Sequence, residues 1–91
     1  MISLDQITFV ITTFKSENVI FDCLSELPSV SPKIIIENSG NNILKADLEN
    51  KFQNLECYIM TQNVGYGIAN NIGISKSKTN YIFIINPDTF F

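Results

Sequence analysis

The segment Ile7-Thr-Phe-Val-Ile-Thr-Thr13 decides the fold class, because nearly all of its residues are β-branched or aromatic. Residues of these types favour strands. A strand with one solvated face alternates apolar and polar side chains, whereas a strand covered on both faces is almost continuously apolar. This segment shows no clean alternation, so we predict that residues 7–13 form an interior strand of a parallel sheet.

Three later segments extend this prediction. They begin near Lys33, Leu55 and Asn80, and the spacing of about 25 residues is typical of a repeating βα unit. Residues 33–37 and 81–85 are again apolar on both faces, and residues 57–60 form a shorter segment of the same kind. The chain therefore predicts a parallel sheet of about four strands.

Each gap between these strands has the pattern of one helix. In the first gap, Ser16 is the candidate N-cap, Pro28 ends the helix, and one helical face is apolar: Val19, Ile20, Cys23, Leu24 and Leu27. The second helix is predicted over residues 43–52 with Asn42 as its cap, and the third over residues 67–77, where small residues allow close packing on the sheet. The order β-α-β-α-β-α-β predicts a Rossmann-like three-layer α/β/α fold.

Composition limits the possible functions. The 91 residues suit one domain, and 45% hydrophobic with 16% charged residues is a composition that folds. The net charge is −3, with the lysines scattered, so a nucleic-acid footprint is absent. Without histidine, neither a Ser-His-Asp triad nor a Cys-His pair can form, and acid-base chemistry falls to carboxylates.

The sequence also predicts the cellular setting and the core. No signal peptide or membrane span is evident, and the two cysteines are too few for a disulfide scaffold, so we expect a soluble, cytoplasmic chain. The abrupt end after Phe90 and Phe91 suggests a truncated domain covering residues 1–91. Core positions are expected at these residues: Phe9, Cys23, Phe52, Cys57, Met60 and Phe83.

Polar residues concentrate where the predicted strands end. These residues lie in the segments 13–16, 37–41, 61–65 and 86–88, which are rich in Asn, Ser, Thr and carboxylates. Open parallel sheets bind ligands outside the carboxyl ends of their strands. The sequence therefore places a candidate binding site at this edge of the sheet.

Four segments follow one another along nearly the whole chain: Phe9-Val-Ile-Thr-Thr-Phe-Lys-Ser16, Ile35-Ile-Glu-Asn-Ser-Gly40, Asn63-Val-Gly-Tyr-Gly-Ile-Ala-Asn-Asn-Ile-Gly73 and Tyr81-Ile-Phe-Ile-Ile-Asn-Pro-Asp88. In this order they resemble the N-terminal nucleotide-sugar-binding half of family 2 glycosyltransferases with the GT-A fold. The Asn-Pro-Asp motif is most similar to the subgroup described as rhamnosyltransferase-like.

This resemblance implies a fold and an activity. The fold would be half of a GT-A domain with strand order 3-2-1-4. The activity would be transfer of a sugar from a UDP-, GDP- or dTDP-linked donor to an acceptor hydroxyl, assisted by Mg²⁺ or Mn²⁺. In the family the acceptor half and its catalytic carboxylate lie beyond residue 91, so we expect this chain to bind the donor without transferring sugar and to contain no catalytic residue.

The resemblance also implies site residues. Thr13 and Phe14 would flank the nucleobase and ribose, and Glu37 stands where the family usually has a base-contacting aspartate. Asn63 and Gly65 match the Asn-x-Gly loop that borders the nucleotide. Further along, Asn71 matches an asparagine of the following helix, and the motif of residues 86–88 matches the metal motif.

In that motif, Asp88 matches the last aspartate of Asp-x-Asp, which holds the divalent cation, and Asn86 replaces the first. With strand order 3-2-1-4, Glu37 and Asp88 would lie two strand spacings apart, on the order of 10 Å, which is comparable to a nucleoside diphosphate. One carboxylate suffices for Mg²⁺ when phosphate and water complete its shell.

Other interpretations remain open. Asp88 is also a reasonable turn or cap residue, and Thr13, Glu37 and Asn63 are of types that satisfy loop backbone groups. The alternative function is a non-catalytic α/β interaction module that pairs with a partner or self-associates as a homo-oligomer through its C-terminal strand, where Phe90 and Phe91 follow.

Overall fold

The computed structural model describes residues 2–87, which form one parallel four-stranded sheet with helices on both faces. The strands are β1 (Ile7–Thr13), β2 (Lys33–Glu37), β3 (Leu55–Ile59) and β4 (Tyr81–Ile85). The helices are α1 (Ile20–Ser25), α2 (Asn42–Lys51) and α3 (Tyr66–Lys76), and a 3₁₀ turn covers Leu4–Gln6. The order β3-β2-β1-β4 confirms the predicted fold class and topology.

The position of β1 explains its unbroken apolar character. It pairs in parallel with β2 on one side and β4 on the other, so that Ile11 is in register with both Ile35 and Ile85. A strand in the middle of such a sheet is covered by helices on both faces. Every residue of β1 after Ile7 is accordingly buried.

Successive residues of β1 pack into two separate apolar layers, because side chains of a strand alternate between faces. Phe9 and Ile11 belong to the layer that contains residues of α1 and α2, including Leu24 and Leu48. Val10 belongs to the opposite layer, with Ala69 of α3. Full burial of one such aliphatic side chain stabilises the fold by roughly 1.5–3 kcal/mol.

Close packing of α3 on the sheet depends on a small residue, as predicted. Gly73 is buried, and a Cβ atom at this position would overlap Cγ1 of Val10. The helix axis therefore lies nearer to β1 than a larger side chain would allow.

The predicted helix ends need small corrections. The cap of α2 is Asn41 instead of Asn42: its Oδ1 accepts the N–H of Leu44 at 2.9 Å, and its backbone is extended. Helix α3 begins at Tyr66, one residue earlier than predicted. Oγ of Ser16 accepts a hydrogen bond from the Phe14 N–H at 3.1 Å and does not cap α1.

One predicted core residue is exposed, and two others are only half-buried. Phe83 is 53% exposed, because β4 is an edge strand and only part of the ring packs against Phe9, at 5.8 Å between centroids. Phe9, Cys23 and Cys57 are buried as predicted. Phe52 and Met60 are half-buried.

Within residues 2–87, none of the helices combines the length and the apolar character that crossing a membrane requires.

Candidate functional site

Two adjoining clefts lie at the carboxyl edge of the sheet. The β4-side cleft has a volume of about 320 Å³ and includes Thr12, Tyr66 and Asn86 in its lining. The β3-side cleft has a volume of about 240 Å³ and is lined by residues that follow β2 and β3, including Gln62. Both clefts share three residues along their common wall: Phe14, Asn38 and Asn63.

Other cavities in the described chain lie away from the two clefts. One of about 440 Å³ lies near the strand starts and is lined by residues such as Thr8 and Lys33. The ammonium of Lys33 already donates to the carbonyls of Ser29 and Gln53, at 3.4 and 3.3 Å. Because open parallel sheets bind ligands at the carboxyl edge, we take the two adjoining clefts as the candidate site.

Phe14 forms an aromatic surface between the clefts. It follows β1 directly and is 47% exposed. The next residue, Lys15, has the left-handed φ of 54°, and its N–H donates to Oγ of Ser39 at 3.2 Å. The Lys15 ammonium lies 5.4 Å from the centroid of the Phe14 ring. An exposed ring beside a cation is suited to stacking against a nucleobase.

Thr13 and Glu37 are brought together, but below the surface. They are register partners at the ends of β1 and β2, and both are fully buried. Oγ1 of Thr13 donates to Oε1 of Glu37 at 3.0 Å. Neither residue lines either cleft. A direct contact of these two side chains with a nucleotide stays a prediction.

Asn38 was not singled out from the sequence, yet it links the two loops of the site. Its side chain is buried, its Nδ2 donates to Oδ1 of Asn63 at 2.9 Å, and its Oδ1 accepts the N–H of Val64 at 3.1 Å. The available signal was its place in the polar segment that directly follows β2. Asn38 thereby holds the loop after β3 against the end of β2.

Asn63 and Gly65 shape the turn into α3. Oδ1 of Asn63 also accepts the N–H of Gly65 at 2.9 Å, so this oxygen has two internal partners. Gly65 has φ 86°, a conformation that strains residues with a Cβ atom. Both residues line the β4-side cleft, as does Tyr66, which is 52% exposed and was not predicted.

Asn71, by contrast, is not part of either cleft. It is exposed on the surface of α3, whereas the preceding Asn70 is buried and accepts a hydrogen bond from Thr12 Oγ1 at 2.7 Å. Successive residues on a helix point about 100° apart, so only one of the two asparagines can face the sheet. A role for Asn71 in binding stays a prediction.

The metal motif lies partly outside the described chain. Asn86 is exposed and lines the β4-side cleft, whereas Asp88 lies outside the described residues. Across residues 2–87, no group of three or more His, Cys, Asp or Glu side chains is placed to hold a metal ion. The assignment of the cation to Asp88 stays a prediction.

Charge near the site comes from side chains on the loops. The exposed carboxylate of Glu17 accepts a hydrogen bond from Nδ2 of Asn41 at 2.9 Å, and this bond lowers the pKa of Glu17. No carboxylate lines either cleft within the described part of the chain. Both clefts are therefore lined mainly by amide, hydroxyl and aromatic groups.

Comparison with known proteins gives a fold-level match. No protein-family model matches the chain, and no curated protein matches it either. Among solved structures, the crystal structure of Staphylococcus aureus TarS 1-349, a glycosyltransferase, matches with a TM-score of 0.73 and 15% identity. The match covers 90% of this chain and 27% of the TarS chain.

The chain has a glycosyltransferase-like fold. At 15% identity the likeness shows the fold alone. It agrees with the parallel sheet ordered β3-β2-β1-β4, whose carboxyl edge carries the two clefts. The family 2 assignment and the rhamnosyltransferase-like subgroup stay predictions from the sequence motifs.

Proposed function

We propose that this chain is the donor-binding part of a glycosyltransferase that uses a nucleoside-diphosphate sugar. The observation that carries the proposal is the pair of clefts around exposed Phe14, at the carboxyl edge of the sheet in a glycosyltransferase-like fold. The donor would be a UDP-, GDP- or dTDP-linked sugar, and the acceptor would supply a hydroxyl group.

The nucleobase and ribose would occupy the β3-side cleft. Phe14 offers a ring face for stacking, and the cleft is also lined by Gln62 and Asn63. Their amides supply hydrogen-bond donors and acceptors in a cleft that is lined by no carboxylate of residues 2–87. Lys15, which also lines this cleft, adds a positive charge near an anionic ligand.

The diphosphate and sugar would occupy the β4-side cleft. Tyr66 lines it at the first residue of α3, where free N–H groups and the helix dipole favour an anion. Asn86 lies on the same cleft, and Asp88 would hold Mg²⁺ or Mn²⁺ two residues later. The cation would neutralise charge on the phosphate oxygens.

The chain by itself would bind the donor without transferring the sugar. Inverting transfer needs a carboxylate that deprotonates the acceptor hydroxyl. The clefts contain no such group within residues 2–87. In this proposal, the base belongs to the acceptor-binding part of the enzyme, and the enzyme is cytoplasmic.

A second candidate is the non-catalytic interaction module. The observation that favours it is β4, an edge strand on which Tyr81, Phe83 and Ile84 are all more than 40% exposed. In this case, the C-terminal strand would pair with a second copy, and nucleotides would not bind.

Two-dimensional NMR titration with UDP, GDP and dTDP distinguishes the candidates. With Mg²⁺ present, we expect shifts at Phe14, Asn63 and Asn86, and replacing Mg²⁺ by Mn²⁺ should broaden the Asn86 signals more than those of Phe14 or Asn63. Asp88→Ala should weaken metal-dependent binding by about tenfold, or about 1.4 kcal/mol.

The matched control is Asp47→Ala, which removes an exposed carboxylate on α2, far along the chain from the motif. It should leave the affinity unchanged. The absence of shifts with any of the three nucleotides would reject donor binding, and equal affinity of Asp88→Ala and the wild type would reject the metal role of Asp88.

A further inference from the structure

We propose that Glu37 is a positioning residue: it holds the loop of residues 38–41 in place and thereby shapes both clefts, without touching the nucleotide. The inference rests on the proposed donor-binding function. It differs from the expectation that Glu37 contacts the base, and it follows from the geometry around the carboxylate.

The carboxylate of Glu37 has a full set of internal partners. Oε1 accepts from the hydroxyls of Thr13 and Ser39, at 3.0 and 2.8 Å. Oε2 accepts from the backbone N–H groups of Ser39 and Asn41, at 3.0 and 2.8 Å. Two carboxylate oxygens offer about four acceptor sites, so a base N–H group would have to displace an existing partner.

Burial supports the same conclusion. Glu37 is 0% exposed, and it lines neither cleft. A buried carboxylate is costly unless hydrogen bonds satisfy it. Here the four hydrogen bonds satisfy it, and breaking any of them to reach a ligand would leave a buried or partly buried donor without its partner.

The groups that Glu37 holds are connected to the walls of the clefts. Ser39 and Asn41 flank Gly40, which has φ 72°, so both ends of this turn are tied to one carboxylate. Oγ of Ser39 also accepts the N–H of Lys15, the residue that follows Phe14. The loop after β1 is thereby fixed to the loop after β2.

Glu37 is also connected to the loop after β3. Asn38 lies between Glu37 and the turn, and its N–H donates to the Thr13 carbonyl at 2.7 Å. From this position its side chain reaches Asn63 and Val64. Glu37 therefore fixes the setting of Phe14, Asn38 and Asn63, the three residues that both clefts share.

The hydrogen-bonding capacity of the partners of Glu37 allows a substitution to distinguish loop positioning from a contact with the nucleobase. The N–H groups of Ser39 and Asn41 can only donate, whereas the hydroxyls of Thr13 and Ser39 can also accept. A glutamine at position 37 could turn its amide oxygen to the two N–H groups and its NH₂ to the two hydroxyls. Glu37→Gln should therefore keep the loop in place, and Glu37→Ala should release it.

The experiment compares Glu37→Gln, Glu37→Ala and the wild type by NMR, measuring the affinities for UDP, GDP and dTDP with Mg²⁺ and the hydrogen exchange of the Ser39 and Asn41 amides. We expect Glu37→Gln to bind each nucleotide within about threefold of the wild type, with both amides protected. Glu37→Ala should lose that protection and weaken all three nucleotides by a similar factor of about ten. The exposed carboxylate of Glu56 gives the matched control Glu56→Ala, which should change neither readout.

Two results would overturn the inference. One is continued protection of the Ser39 and Asn41 amides in Glu37→Ala. The other is a tenfold loss of affinity for one nucleotide in Glu37→Gln while both amides stay protected, which would mean that Glu37 reads the base. If Glu37→Ala fails to fold, Glu37→Gln decides alone. A wild-type chain that binds none of the nucleotides would reject the proposed function, and the amide protection would still report separately on the loop.

Discussion

The two edge strands of the sheet, β3 and β4, are protected to very different degrees. On β3, the backbone of the central residue Cys57 is covered by two side chains of α2. Its N–H donates to Oε2 of Glu49 at 2.9 Å, and its carbonyl accepts from Nζ of Lys45 at 2.6 Å. Lys45 and Glu49 also form an ion pair at 2.9 Å. A new strand cannot pair with Cys57 without displacing both.

On β4 the described residues offer no such cover. The strand Tyr81–Ile85 contains no charged residue, and Tyr81, Phe83 and Ile84 are exposed. An apolar groove of about 560 Å³ runs between this strand, Phe9 and Leu27.

The contrast shows that the two edges differ in their protection against pairing with a further strand. Edge strands attract further strands unless charged side chains, bulges or covering elements block them. The β3 edge is blocked by an ion pair that spans one helical turn, whereas the β4 edge is apolar and is left accessible by residues 2–87. The difference favours β4 as the place where the predicted self-association would occur.

The largest expected effect tests the cover of β3. Glu49→Ala removes the acceptor of the Cys57 N–H and should lower the free energy of unfolding by about 1–3 kcal/mol, because a partly buried donor loses its partner. Glu49→Gln keeps an amide oxygen at the same place and should cost less. Urea denaturation of both variants measures the difference, and equal losses would show that the backbone contact contributes nothing.

A smaller effect is expected at β4. Ile84→Lys places a charge on the exposed edge and should weaken self-association by about tenfold, since a charged edge strand disfavours pairing. Sedimentation equilibrium measures the dissociation constant. The control is Ile43→Lys, at a position on α2 that is 76% exposed. A wild-type chain that stays monomeric at high concentration would contradict the proposed role of this edge.

The smallest effect is a pH dependence of the β3 cover. The hydrogen bonds from the Cys57 N–H and from Lys45 lower the pKa of Glu49 from its usual 4.5. Because the folded pKa is the lower one, the stabilisation is fully present above pH 4.5 and is lost as the pH falls through the folded pKa.

The wild type should therefore lose more stability than Glu49→Gln as the pH falls from 7 into the acidic range. The measurement is the free energy of unfolding of the two chains in urea at each pH. The effect should be smaller than that of Glu49→Ala, because a protonated carboxyl group still has an oxygen that accepts the Cys57 N–H. Parallel pH profiles would show that Glu49 does not contribute through its charge.

Much of the fold was predictable because the deciding patterns are local. The strands Ile7–Thr13, Lys33–Glu37 and Tyr81–Ile85 were predicted at their observed bounds, since runs of β-branched and aromatic residues of this length favour strands. Cover on both faces holds for the first two strands only, because β4 lies at the sheet edge and most of its side chains are exposed. Helix ends were less predictable: Asn41 and Asn42 are both good caps, and only the extended backbone of Asn41 makes it the N-cap.

The candidate site was predicted as a region more accurately than as a set of residues. Phe14, Asn63, Gly65 and Asn86 line the β4-side cleft, as their places after the strands suggested. Asn38 and Tyr66 were missed, because an amide that bridges two loops and an exposed first residue of a helix have no distinct sequence pattern. Asn71 stays a prediction from its place in the motif. That Asn70 faces the sheet while Asn71 is exposed depends on the rotation of α3 about its axis.

By itself, the sequence determined the βα order, the interior position of β1, the polar carboxyl edge and the absence of imidazole chemistry. These follow from residue types and their spacing along the chain. The tertiary structure alone decided that Glu37 is enclosed by Thr13, Ser39 and Asn41, and that β3 is covered while the described residues leave β4 exposed. Hydrogen-bond partners and exposure depend on which segments meet in space, and residues far apart in the chain supply them.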